Sequence, residues 1–180
     1  MKGLQIFSRD KLAQIIALGD KHYNCCISIG DKEDRLEEIC DKFDHVLRLK
    51  FDDIIEKNEF QKRLPKKSHI RKVVRFYNKT KDLADGYTIH CYAGVHRSVA
   101  VGLILLYLMT GSESEAKEKL LKIKGLPLPN KRMIDIFDHM FKTNLKKESD
   151  ELWQRGLDFM SDKIKINIDD YLEELEVIDE

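Results

Sequence analysis

The segment His90–Ala100, HCYAGVHRSVA, decides how the rest of the chain is read. It follows the short apolar run Tyr87–Ile89 and runs into VAVGLILLYLM, Val99–Met109. The first run reads as a buried strand and the second as a buried helix opening at Arg97, with a tight loop between them. A short loop before a helix N-terminus aims several backbone N–H groups at one spot. Gly94 lets that loop curl, because it has no Cβ to obstruct the turn. Arg97 adds a planar fork that matches two oxygens of a tetrahedral anion. Cys91 sits at the base of this cup, where the helix end and the arginine favour a thiolate. Ser98 is positioned to donate to the sulfur and to help the thiolate leave later, and His90 to fix the loop through its ring nitrogens. Tyr92, Ala93, Gly94, Val95, His96 and Arg97 make up the phosphate-binding loop. A thiolate beneath a bound phosphoryl group is set for in-line attack.

Outward from this segment, strands and helices alternate. Leu4–Phe7 reads as a strand, and Ser8 caps a helix that Gly19 ends. NCCISIG is a second strand, closed by Gly30-Asp31, and DRLEEICDKF a short helix. In HVLRLKF, Leu47, Leu49 and Phe51 share one face and Arg48 and Lys50 the other, which makes a third strand. Pro65 breaks the chain. The amphipathic helix KSHIRKVVRFYNKTKDL follows, with apolar residues at 70, 73, 74 and 77 and an end at Gly86. Beyond the Arg97 helix, Ser112-x-x-Glu115 is a capping box for a helix to Lys124. GLPLPN is a loop, and a further helix covers about 130–146. The pattern predicts an α/β fold with a central, mostly parallel sheet of about four to five strands flanked by helices. The expected organisation is a domain over 1–147 and a helical or acidic C-terminal extension, 148–180, packed on the domain or partly free. In that extension Trp153, Leu157 and Met160 are expected to pack as a helix, with Leu172, Leu175 and Val177 doing so farther on or docking a partner.

The chain has 180 residues, 42% hydrophobic and 36% charged, with formal net charge +0. Such a length supports one core, and zero net charge supplies no global field for nucleic acid or membrane. No signal peptide is visible, and the apolar run Val99–Met109 is too short to span a bilayer. The expected location is the cytoplasm, with no membrane partner and no nucleic-acid partner. The four cysteines, Cys25, Cys26, Cys40 and Cys91, form no CxxC pair and no zinc spacing. No metal and no cofactor are expected. Cys25 and Cys26 read as small core residues. A disulfide trap between Cys91 and Cys25, Cys26 or Cys40 is an open alternative. The sequence carries no signal for an oligomeric state.

HCYAGVHRS resembles the HC-x5-R-[S/T] signature of the cysteine-dependent protein tyrosine phosphatase superfamily. The short chain, and the strand HVLRLKF leading into an aspartate, look most like the dual-specificity branch and small prokaryotic proteins described as predicted tyrosine phosphatases. The resemblance covers about residues 22–142. It implies a two-step mechanism: the cysteine takes the phosphoryl group as a cysteinyl phosphate, and water removes it. It also implies a general acid after the third strand. The family's apolar-x-apolar-x-Asp pattern falls on Leu49-Lys50-Phe51-Asp52-Asp53 with Asp53 as the acid, and strand parity agrees. Asp52 is the alternative. GLPLPNKRM resembles a Pro-Asn segment whose asparagine braces the phosphate loop. Asn130 takes that place, and it also fits a helix N-cap.

The resemblance implies a phosphorylated protein or peptide as substrate, carrying phosphotyrosine, with phosphoserine and phosphothreonine as further candidates. The loop has no lysine of the kind that inositol-lipid phosphatases often carry. No counterpart of the tyrosine-bearing recognition loop of larger tyrosine-specific enzymes is found. The basic run QKRLPKKSHIRK reads as a solvated face or as a lure for acidic substrates. Two rivals stand beside this reading. One is a phospho-binding module that has lost turnover. The other is an RNA 5′-phosphatase or lipid phosphatase on the same scaffold.

Overall fold

A computed structural model describes residues 2–20, 22–31, 41–54 and 63–176, with side chains in the last helix described to residue 163. In chain order the elements are β1 (Gly3–Ser8), α1 (Arg9–Ala17), β2 (Cys25–Gly30), β3 (His45–Lys50), α2 (Lys67–Thr80), β4 (Gly86–Cys91), α3 (Arg97–Thr110), α4 (Glu113–Lys124), α5 (Lys131–Phe141) and α6 (Leu145–Glu176). The four strands form one sheet in the order β1-β4-β2-β3, and every neighbouring pair is parallel. This is the α/β architecture the alternation predicts, with the sheet wholly parallel among the described residues.

The two inner strands, β2 and β4, are buried at every position. They read as continuous apolar runs rather than alternations, because helices cover both faces of a parallel sheet. The larger core joins Ile27, Ile29, Leu49, Phe51, Ile89 and Cys91 to α3, whose residues Arg97 to Leu106 are all buried. On the other face Leu12 of α1 packs with Cys26 and Phe43. Ser8 caps α1 by accepting from the Lys11 N–H at 3.2 Å. Parallel pairing sends all four strand C-termini to one edge, and Ser8 lies in register with Cys91 there. Crevices for ligands form at that edge in open α/β sheets.

Two expectations about element ends change. Gly86 does not end a helix: α2 closes after Thr80, and Gly86 opens β4. A Cβ there would come within 2.5 Å of the Tyr23 ring and 2.8 Å of the Gly3 carbonyl oxygen, so close approach of the β1 backbone explains the glycine. The helix expected over 130–146 is two helices. α5 stops at a left-handed Lys142, φ 59°. The Asp138 carboxylate then accepts from the backbone N–H groups of Leu145 at 3.0 Å and Lys146 at 2.7 Å, and from the Thr143 hydroxyl, satisfying the first turn of α6.

The expected division at 147/148 falls inside α6, which packs on the domain. Leu145, Glu148, Ser149, Leu152 and Gly156 are buried at helical spacing. Lys117 of α4 bridges Glu148 and Glu151 at 2.5 Å each. Of the residues expected to pack there, Trp153 does, whereas Leu157 and Met160 are 59% and 58% exposed because they lie off the inward stripe. The side chains of Leu172, Leu175 and Val177 lie outside the described residues, as do most of DRLEEICDKF and Cys40. Among the described residues no helix is long and apolar enough to cross a membrane.

Candidate active site

Cys91 is the last residue of β4 and 1% exposed. Its Sγ accepts from the Gly94 N–H at 3.2 Å and lies 3.2 Å from Ser98 Oγ. The loop between β4 and α3 therefore curls back onto the sulfur. The first turn of α3 holds no acidic residue and its N-cap, His96, makes no side-chain cap hydrogen bond. Its N–H groups keep their capacity for an anion. Gly94 takes φ +70°, and a Cβ on it would sit 2.5 Å from the Ser8 nitrogen and 2.6 Å from the Phe7 carbonyl carbon. Gly94→Ala thus adds about 1–2 kcal/mol of backbone strain and pushes the loop off β1. A lower thermal midpoint and a drop of about 10²-fold in kcat/KM are the expected result.

Arg97 is buried against the sheet edge. Its Nη1 donates to the Phe51 carbonyl at 2.9 Å and to Asp31 Oδ1 at 2.7 Å, while Nε lies 3.8 Å from Asp53 Oδ2. The fork is oriented by residues that follow β2 and β3. His90 is fully buried one residue before the sulfur, in register with Phe7 of β1 and Ser28 of β2. Tyr92 stands beside the loop rather than beneath it. It is 57% exposed, the Arg9 guanidinium lies 4.9 Å from its ring centroid, and its carbonyl accepts from the Arg9 N–H at 3.1 Å. Ala93 and Val95 are exposed on the same rim.

The two candidate acids part company. Asp52 faces the Arg63 backbone: its N–H donates to the Arg63 carbonyl at 2.9 Å and its Oδ2 accepts from the Arg63 N–H at 3.2 Å. Asp53 faces the cup. Its Oδ2 lies 3.2 Å from His96 Nδ1, and its Oδ1 accepts from Asn130 Nδ2 at 3.0 Å. Burial pushes the Asp53 carboxyl up. The hydrogen bonds from His96 and Asn130, with the charges of His96 and Arg97, outweigh it and hold the group below the usual carboxylate range. Asn130 does two jobs. Its Oδ1 caps α5 by accepting from the Met133 N–H at 3.1 Å, and its Nδ2 also donates to the Ile54 carbonyl at 3.2 Å. Its side chain braces the segment that carries Asp53 and Ile54, and its backbone N–H reaches the loop before α3, at the His96 carbonyl, 3.1 Å.

Cys25 and Cys26 are not brought to the sulfur. Cys26 is in register with Thr88, three residues before Cys91, so about 10 Å of strand separates them, beyond the reach of a disulfide. Burial, the largest influence, pushes the Cys25 thiol up to about 11, so it remains protonated and inert. Sequence reasoning missed Asp31 and the stacking of Trp153 on His96. Asp31 follows a strand that ends at the same edge as Cys91, which is a usable signal. Trp153 gave none beyond being an aromatic on a helix.

No family model and no curated protein sequence matches the chain. Solved structures do. DUSP15 is 18% identical with a TM-score of 0.61, covering 86% of this chain and 93% of that one. Human DUSP28 is 15% identical with a TM-score of 0.55, covering 84% and 94%. PTPMT1 in complex with PI(5)P is 17% identical with a TM-score of 0.52, covering 84% and 91%. The chain shares the fold of these dual-specificity and protein tyrosine phosphatases.

Proposed function

We propose that this chain is a cysteine-dependent phosphoric monoester hydrolase whose substrate is a phosphorylated protein or peptide. Phosphotyrosine is the primary group, and the open rim at Ala93 and Val95 admits phosphoserine and phosphothreonine as well. The observation that carries the reading is convergence: the Cys91 sulfur at the end of β4, the Arg97 guanidinium from the first turn of α3 and the Asp53 carboxyl beyond β3 approach one cup.

In this mechanism Arg97 and the first N–H groups of α3 bind the phosphoryl oxygens. The Cys91 sulfur attacks phosphorus as the bond to the leaving oxygen breaks, and Asp53 gives that oxygen a proton. Water then attacks the cysteinyl phosphate and Asp53 takes its proton. The S–P bond breaks while Ser98 donates to the departing thiolate, and inorganic phosphate leaves. No cofactor and no metal take part. A nucleophilic thiol also suits the reducing cytoplasm expected from sparse cysteine use.

The test is phosphate release from a small aryl phosphate and from a phosphotyrosine peptide in the presence of a chelator. Turnover undiminished by the chelator is expected. Tight phosphopeptide binding without turnover would replace the enzyme by a binding module. Neither binding nor turnover would move the search to RNA 5′-ends and inositol lipids.

A further inference from the structure

We infer that α6 is part of the catalytic apparatus, with Trp153 as a positioning residue that seats the Asp53 general acid by clamping His96. The inference rests on the reading of Asp53 as proton donor. It concerns a helix that lies outside the region of family resemblance.

The indole is gripped at its edge and on its faces. Its Nε1 donates to the Pro129 carbonyl at 2.8 Å. Its ring stacks on the His96 imidazole, with centroids 5.6 Å apart and planes inclined at 20°. The Lys131 ammonium lies 5.2 Å from its centroid. His96 Nδ1 in turn meets Asp53 Oδ2 at 3.2 Å, and Asn130, the residue after Pro129, holds Asp53 Oδ1 at 3.0 Å. Trp153 therefore touches one support of the carboxylate, His96, through the stack, and holds the carbonyl of the residue that precedes the other, Asn130. The side chains of His96 and Asp53 are 32% and 26% exposed, so burial alone does not hold them. A flat ring against the imidazole restricts its rotation, and terminal ring torsions are otherwise broad. Among the described residues, the other charged group beside Asp53 is Arg97, which also pairs with Asp31. The indole's position is set by the domain core, since Leu145 and Leu152 of the same helix are buried in it.

A proton donor matters in proportion to how badly the leaving group needs a proton. Trp153→Ala is therefore expected to lower kcat by about tenfold or more on phenyl phosphate and on a phosphotyrosine peptide. On an aryl phosphate with a strongly electron-withdrawing ring the loss is less than about twofold. Trp153→Phe keeps a stacking ring and recovers most of the loss. A purely structural role would lower all substrates by the same factor. A second measurement does not depend on turnover: carbon NMR titration of the Asp53 carboxyl. Its midpoint, below the usual range in the native protein, rises in Trp153→Ala and stays low in Trp153→Phe. An unmoved midpoint, or equal losses across leaving groups in a folded variant, would overturn the inference. If the native protein released no phosphate, the catalytic reading would fall. The titration would still decide whether Trp153 seats the His96–Asp53 pair.

Discussion

Cys91→Ser lowers phosphate release from an aryl phosphate by about 10⁴-fold or more and leaves the fold in place. The sulfur occupies a fully buried position, with the Gly94 N–H and the Ser98 hydroxyl each at 3.2 Å. A serine oxygen fits that space and keeps both contacts, so the thermal midpoint changes little. It stays protonated at neutral pH, however, and the groups that contact that position, the Gly94 N–H and the Ser98 hydroxyl, are not bases that could activate it. The anion cup is unaltered, so the variant still binds a phosphotyrosine peptide. Two measurements check this, the steady-state rate and the affinity for the uncleaved peptide. A rate within tenfold of native would remove the thiol from the mechanism. Loss of both rate and affinity would mean that the sulfur supports the cup rather than the chemistry.

Asp53→Asn is expected to cost about 10²–10⁴-fold on substrates with poor leaving groups, while Asp52→Asn stays near native. The reason is orientation: consecutive aspartates point to different partners, Asp53 to His96 and Asn130, Asp52 to the Arg63 backbone. The pH dependence has a definite sign. In the free protein the Asp53 carboxyl lies below its ordinary range, so its protonated fraction falls early as pH rises. The alkaline limb of kcat/KM, which reports the free enzyme, therefore lies at low pH. A bound phosphoryl dianion beside the carboxyl raises its pKa, so the same limb of kcat lies higher. Both limbs flatten in Asp53→Asn. A native profile whose alkaline limb is unchanged by Asp53→Asn would assign the proton to another donor. The same depression makes Asp53 a source of stability. It is present above the ordinary carboxylate range and is lost as pH falls through the folded value.

The loop and its helix were legible because their physics is contiguous. Strand, Cys91, Gly94, Arg97 and the apolar helix lie within a single short stretch, and the tight turn with its N–H cup follows from that order alone. The parallel sheet was legible too, since runs such as CCISI and YTIH suit strands covered on both faces. Element ends were less so. Gly86 reads as a helix stop, yet it serves the approach of Gly3 and Tyr23 across the sheet. The break at Lys142 depends on Asp138 reaching forward to the N–H groups of Leu145 and Lys146.

The sequence by itself pointed to Cys91 as the candidate nucleophile, to Arg97 and to the cradle between them, and it narrowed the candidate acid to two neighbouring carboxylates. Only the tertiary structure sets the two apart, turning Asp53 toward His96 and Asn130 and Asp52 toward the Arg63 backbone. It also brought Asp31 to the arginine and laid Trp153 against His96. These partners come from four separate places in the chain. They meet because parallel pairing delivers every strand end to one edge, and because the buried stripe of α6 fixes which of its aromatics faces that edge. Such contacts depend on packing between distant segments, which local periodicity does not encode.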